Sequence, residues 1–515
     1  MLISLLAATT LAAPIPYTQS MPGMDMTQHA GHAPPPPVTE PKTNASDAAP
    51  AAPLQPAATP RDRAAPRSQT MPHHAPSAPH TAPDTPAPTP RTAIDRGARP
   101  GTGSDAMPTV DHGAMDHGAM DHGMKGALGD YAMMRDASGT AWQPDTAPMW
   151  AIMGRSGAWS TMVHGFVTLI HDDQGGPRGD TKTFSTSMLM GMGQRELGGG
   201  TLTLRAMGSL DPLMGKRGYP LLLATGETAD GRTELVDRQH PHDAFMELAA
   251  AYAYPLGEGV SGFLYLGLPG EPALGPATYM HRFSGMTNVE APISHHWLDS
   301  THVTFGVATA GLVVRGLKLE GSVFTGREPD QNRWNIERPR MDSWSFRATV
   351  NPTANLSAQV SHGFLHSPEG LHPEEDVTRS SASITWNRPL GPDRNWQSTF
   401  AWGRNDPSGG EHGHITDAFL LDSAIQLGRW TAFGRAERVE KDELFGDEHD
   451  GDPLAGRVFT VGKLSLGGYH SVPLGKVALD FGGLASKYAL PRDIRPRYGS
   501  DPTSFMLFTR LRITG

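Results

Sequence analysis

Between Asp111 and Met124 the chain reads Asp-His-Gly-Ala-Met twice and then Asp-His-Gly-Met, presenting His112, Met115, His117, Met120, His122 and Met124 at a five-residue spacing. A five-residue period gives neither a helix nor a strand a continuous apolar face, so packing does not account for the repeat. Metal chemistry does. Imidazole binds copper in either oxidation state, and thioether sulfur is a soft ligand that favours Cu(I) over zinc and the hard divalent ions. A tandem repeat that had merely slipped would be confined to one place. Here the pairing recurs: Met21, Met24 and Met26 lead into His29 and His32, and Met71 precedes His73, His74 and His80. Because imidazole must be deprotonated to bind, capture by such a segment is expected to weaken below about pH 6.

A second group of possible ligands lies far downstream, at Met280, His281, Met286, Glu290, His295, His296, Asp299 and His302, with His240, His242 and Asp243 before it and His164, His171 and Asp172 earlier still. Its spacing is irregular and matches no defined metal motif. The same side chains could equally form a hydrogen-bonded network that holds a loop in place. No Gly-x-Ser-x-Gly elbow and no His-Glu-x-x-His helix occurs, so the sequence gives no reason to expect an enzyme.

Composition narrows the setting. The chain has 515 residues and a formal net charge of -10, which argues against a nucleic-acid partner. It contains no cysteine, so a disulfide framework, a thiolate metal site and a lipidated N-terminal cysteine are all excluded. Residues 1–13 read as a signal peptide, an apolar run ending in small residues before Pro14, although no basic segment precedes it. Residues 14–130 are rich in Pro, Ala and Thr and then in Met and His, with too few large apolar residues to bury a core, and are expected to be a disordered tail. Residues 131–157 read as an adapter into folded structure.

From residue 158 to 515 the pattern becomes about ten-residue stretches of period-two alternation separated by turn residues, the signature of a transmembrane antiparallel up-and-down β-barrel. Trp344, Phe346, Ala348 and Val350 alternate with Ser343, Ser345, Arg347 and Thr349, and Leu317, Leu319 and Val323 alternate with Lys318, Glu320 and Ser322. Sixteen strands are expected, with fourteen as the alternative, starting near Trp159, Thr183, Thr201, Asp243, Val260, His302, Leu317, Asp342, Leu356, Thr378, Trp396, Ile415, Trp430, Arg457, Lys476 and Thr503. Connections after even-numbered strands are tight, as at Gly198-Gly199-Gly200, and those after odd-numbered strands are mostly long and polar. That alternation is expected of an outer-membrane barrel, and an even count puts both ends of the chain on the periplasmic side. Tyr252, Tyr254, Trp386, Trp396, Trp402 and Tyr488 are expected to form interfacial girdles. A barrel of this size leaves an aqueous channel.

The Met/His-rich tail, carried by Met21–His32 and Asp111–Met124, joined to a barrel, resembles the CopB/PcoB copper-resistance outer-membrane proteins. The barrel itself looks more like a group of uncharacterised bacterial outer-membrane proteins. The resemblance implies copper binding, sequestration or efflux at the outer membrane of a Gram-negative bacterium, with periplasmic copper-handling proteins as partners besides the surrounding lipid. It leaves the oligomeric state open. A likeness to general porins implies that the loop after the fifth strand, Met280–His302, folds inward and lines a constriction. There a ring of His, Met and carboxylate would offer several weak sites to a passing cation. The alternative is a porin for small polar solutes in which the tail has no metal role.

Overall fold

The computed structural model describes residues 124–410, 413–446 and 451–515. The repeat residues His112, Met115, His117, Met120 and His122, together with Met21, Met24, Met26, His29 and His32, lie outside the described residues, as does the expected signal peptide.

Sixteen strands close into one antiparallel barrel: β1 Trp159–Gln174, β2 Thr181–Leu197, β3 Gly200–Gly208, β4 Phe245–Gly257, β5 Val260–Gly267, β6 Val307–Val314, β7 Leu317–Phe324, β8 Ser343–Thr353, β9 Leu356–Leu365, β10 Asp376–Gly391, β11 Arg394–Ser408, β12 Thr416–Leu427, β13 Trp430–Lys441, β14 Phe459–Leu474, β15 Val477–Ala489 and β16 Thr503–Ile513. Each strand pairs with its sequence neighbours, and β16 closes the ring on β1 through partners such as Thr509 and Leu169. A short strand, Ile152–Ser156, pairs with the start of β1 below the point where β16 ends. The sixth strand begins at Val307, not near His302, because Ser300–His302 is still a helical turn of the preceding loop.

Every even-numbered strand from β2 to β14 is followed by a two-residue turn, and every odd-numbered one by a longer loop. At Gly198 and Gly199 both residues have positive φ, 59° and 82°, the left-handed pair whose twist matches that of two joined strands. Alternation decides the faces. Phe346 is 63% exposed on the outer wall while its neighbour Arg347 is 2% exposed inside. Leu189, Leu264, Leu319, Val360, Leu466 and Leu507 add to the same outer apolar band, whereas Lys318, Glu320, Arg435, Glu437, Arg510 and Arg512 point inward. Such a surface is a stable solution only against hydrocarbon, since a monomer in water rarely exposes so much contiguous apolar area. Tyr254 and Trp396 are exposed near the turn end, in keeping with a girdle. Tyr488 is not part of one. It shares the inward parity of Leu484 and Ser486, and its hydroxyl donates to Gln174 Oε1 at 2.9 Å and lies 2.8 Å from Ser504 Oγ, which can donate to it.

The lumen is filled from two sides. At the turn end, residues 124–150 fold inside the wall as a plug. Trp142 and Leu128 are its anchors, buried to 5% and 1% exposure, and burying Leu128 alone is worth roughly 1.5–3 kcal/mol. The wall holds the plug by its backbone. Lys318 Nζ donates to Thr140 O, Arg205 to Gly139 O, Asn351 Nδ2 to Gln143 O at 2.8 Å and Asn387 Nδ2 to Thr146 O at 2.7 Å. Arg347 donates to Thr140 Oγ1 at 2.9 Å and pairs with Glu320 at 2.9 Å, and Glu320 also pairs with Lys318 at 2.9 Å. The plug thus unites residues 124–130, expected to belong to the tail, with most of the 131–157 segment expected to be an adapter.

From the other side the loop between β5 and β6, residues 268–306, crosses the lumen to the far wall. Arg282 bonds Asp422 on β12 at 2.8 Å, the Ser284 amide donates to Gln397 on β11 at 2.9 Å, and Trp297 Nε1 donates to Thr416 on β12 at 2.9 Å. The expected open channel is thus narrowed to small chambers. Its interior is lined with charge, as the alternation required, but most of that charge is spent holding the plug and the loop.

Candidate metal centre

Four elements meet inside the barrel to form a methionine chamber. On β2, Met188, Met190 and Met192 recur at every second residue and all face inward. β1 contributes Met162 and His164, the loop contributes Met280, His281 and Met286, and the plug contributes Met133 and Met149. Together Met133, Met149, Met162, Met190, Met192, Met280 and Met286 line a cavity of about 80 Å³ with His164 and His281. His164 Nε2 lies 3.0 Å from Met190 Sδ, and the two imidazole rings are 5.9 Å apart, edge to face. His281 Nε2 is buried without a hydrogen-bond partner. Burial, aided by the neighbouring His164, pushes the pKa of His281 down to about 3, so its ring is neutral and its lone pair available.

A smaller cavity, lined by Met190, Met207, Glu247, Glu271, Thr278, His281 and His302, continues from the chamber. From His302 a series of imidazoles leads toward the long loops. His302 lies 5.1 Å from His295 and 5.3 Å from His242, His295 lies 5.7 Å from His296, and His296 lies 6.0 Å from His240, all between ring centroids. Three of the rings are oriented through Nδ1, as the groups behind metal-binding histidines orient theirs. His302 Nδ1 faces Asp299 O at 2.8 Å; a carbonyl only accepts, so Nδ1 carries the proton and Nε2, which has no partner, carries the lone pair. His295 Nδ1 is held by Asp299 Oδ1 at 2.8 Å, and His242 Nδ1 by Asp211 at 3.1 Å. Burial, and then the surrounding imidazoles, hold His302 and His240 well below the ordinary histidine range.

The series ends on carboxylates. His240 Nε2 is 3.2 Å from Glu227, and His296 Nδ1 is 3.7 Å from both Glu328 and Glu369. Burial disfavours a charged His296, but Glu328 and Glu369 outweigh it and raise its pKa above the ordinary value.

The structure thus brings Met280, His281, Met286, His240, His242, His295, His296 and His302 into one connected lane. Two predicted residues serve the scaffold. Glu290 is bound by Lys463 Nζ at 2.8 Å and by Ser465, and Asp299 is taken up by Arg282, His295 and the Tyr279 amide. Of the earlier candidates, His164 joins the chamber, whereas His171 faces outward beside Thr183. Met124 is the first described residue, and Lys125 beside it bonds Gln194 near the turn end of β2. Asp172 and Asp243 are buried in the wall and loops away from the chamber. Sequence reasoning overlooked Met162, Met188, Met190, Met192 and Met207. The period-two stripe Met188-x-Met190-x-Met192 was the signal that could have found most of them.

No protein-family model matches the chain, and no curated protein matches it. Among solved structures it is similar to Pseudomonas putida OprB at high pH (TM-score 0.45, 7% identity, covering 69% of this chain and 94% of that one). It is also similar to Salmonella typhi OmpF in complex with daunomycin (TM-score 0.43, 8% identity, 70% and 100%) and to an anion-selective porin from Comamonas acidovorans (TM-score 0.40, 11% identity, 69% and 100%). The barrel assignment rests on the closed ladder of sixteen strands.

Proposed function

We propose that this barrel lies in the outer membrane of a Gram-negative bacterium and handles copper. In this reading the Met/His-rich tail, His112 to Met124 above all, gathers the ion on the periplasmic side, and the lumen holds or passes it. Many weak, exchangeable tail sites raise the local metal concentration at the barrel mouth. Periplasmic copper-handling proteins are the natural partners on that side, in line with the resemblance to the CopB/PcoB proteins.

One observation carries the reading: seven methionines and two histidines line a single chamber deep in a barrel that has no cysteine. Thioether sulfur with neutral imidazole is a donor set for Cu(I), and it does not suit Mg²⁺, Ca²⁺ or Mn²⁺. Methionine also fills core gaps on purely steric grounds. The neutral, unpartnered Nε2 of His281 is what packing alone does not supply.

The test is a Cu(I) titration of the full chain in detergent micelles against a competing chelator. A tight site is expected in the native protein and absent from a Met190→Leu, His281→Ala variant. Identical titrations would remove the chamber from the proposal. A large single-channel current, unaffected by copper, would instead favour passage of small polar solutes, which shares the porin-like barrel.

A further inference from the structure

Four loops converge at the far end of the lane. His296 comes from the β5–β6 loop, Glu328 from the loop after β7, Glu369 from the loop after β9, and Gly226 and Glu227 from the loop after β3. One ligand atom from each of His296, Glu328 and Glu369 lies within 4.8 Å of the others. The His296 ring stands 3.7 Å from each carboxylate, beyond hydrogen-bond reach. It is close to the separation of about 3.4 Å that a tetrahedral ion with bonds near 2.0–2.1 Å imposes on its ligands.

The surroundings leave buried ligand atoms unused. Glu328 is 9% exposed, and its Oε2 is buried with no hydrogen-bond partner. A buried carboxylate oxygen left without a partner is costly, and a hydrogen bond or coordination is the usual remedy. Arg379 lies near enough to be felt by both carboxylates, but its guanidinium is committed to Asn405 at 2.8 Å and Ser300 at 2.9 Å. Glu369 is steered by the Glu227 amide, which donates to its Oε2 at 3.5 Å. The His296 ring is seated on Gly226, where a β-carbon would fall 2.3 Å from its Cε1. Only glycine leaves that seat open.

We infer that His296, Glu328 and Glu369 form a site for a borderline divalent cation of the Zn²⁺ class, which staples the lumen-crossing loop to the loops after β7 and β9. The donor set decides the class. One imidazole with two carboxylates and no sulfur suits Zn²⁺ better than Cu(I), and the imidazole disfavours Ca²⁺ and Mg²⁺. The site shares no ligand with the methionine chamber and stands or falls separately from it.

The experiment is equilibrium dialysis of the full chain in detergent against Zn²⁺ with excess Ca²⁺ and Mg²⁺. Wild type is compared with Glu328→Gln/Glu369→Gln, with His296→Ala, with Gly226→Ala and with the chamber variant Met190→Leu/His281→Ala. One equivalent of Zn²⁺ should disappear in the first two, with affinity at this site falling about a hundredfold or more, and remain in the chamber variant. Gly226→Ala should weaken binding although every ligand is retained, and Zn²⁺ should raise the melting temperature of wild type but not of the isosteric Gln pair. Stoichiometry unchanged by the ligand substitutions, loss of the equivalent in the chamber variant instead, or displacement of Zn²⁺ by Ca²⁺ would each overturn the site.

Discussion

The two ends of the lane through the lumen are built from the same imidazoles but different partners. At the plug end His164 and His281 stand among methionine sulfurs, with no carboxylate bonded to either ring. At the loop end His296 and His240 stand against Glu328, Glu369 and Glu227. The first environment keeps imidazole neutral and rewards a soft ion. The second sets carboxylate oxygens beside the imidazole and suits a harder one. If both proposed sites hold, the difference teaches that one barrel interior sorts ions along its length by changing what surrounds the histidine, without changing the histidine.

The largest effect that would break this comparison is on the chamber. With Met190→Leu and His281→Ala together, Cu(I) affinity measured by chelator competition should fall by about a hundredfold or more, roughly 2.7 kcal/mol, while Zn²⁺ retention at the loop end stays unchanged. Equal losses of both ions would mean the two ends are one site.

Next comes the scaffold beneath the chamber. Glu320→Gln removes the carboxylate shared by Lys318 and Arg347 and leaves buried cations unpaired. It should destabilise the plug by about 3–5 kcal/mol, read as a lower melting temperature in detergent and as protease access to residues 125–149. His302→Ala tests continuity between the ends. It should slow transfer of copper across proteoliposomes about tenfold, around 1.4 kcal/mol of barrier, with equilibrium binding at either end little changed. An unaltered rate would show that the imidazole series is structural.

The smallest effect is on pH. Burial pushes Glu271, which accepts from Thr278 Oγ1 at 3.1 Å beside the plug, up to about 7. A carboxyl raised above its unfolded value binds its proton more tightly in the folded state, so its contribution is complete below about pH 4.5 and is lost as pH rises through 7. Melting temperature should therefore decline over that window in wild type and decline less in Glu271→Gln. Identical slopes would place the buried proton elsewhere.

Much of the fold was legible because membrane barrels write their faces in a strict period of two. Parity alone sends Phe346 and Arg347 to opposite sides, and Gly198-Gly199 and its counterparts mark the short connections. Tyr488 was misplaced because its aromatic type was weighed above its parity. The plug was not legible, since Trp142 and Leu128 are too few to form a pattern and their place inside the barrel depends on distant wall residues such as Lys318 and Ser261. The candidate site was half legible. The loop histidines stood out by composition, but their union with Met162, Met190 and Met192 depends on the loop crossing the lumen, which local sequence does not encode.

The short strand Ile152–Ser156 carries a consequence for assembly. It lies at the seam, in line with β16, and Ala151 meets Gly515 there. The plug is the segment just before that strand, so the first described residues and the last strand converge on one edge. The ring cannot be sealed until the final strand has arrived, and when it seals, the plug is enclosed in the same event. Loss of the last few residues should thus damage the interior first, at a distance in sequence of more than three hundred residues, before it disturbs the wall.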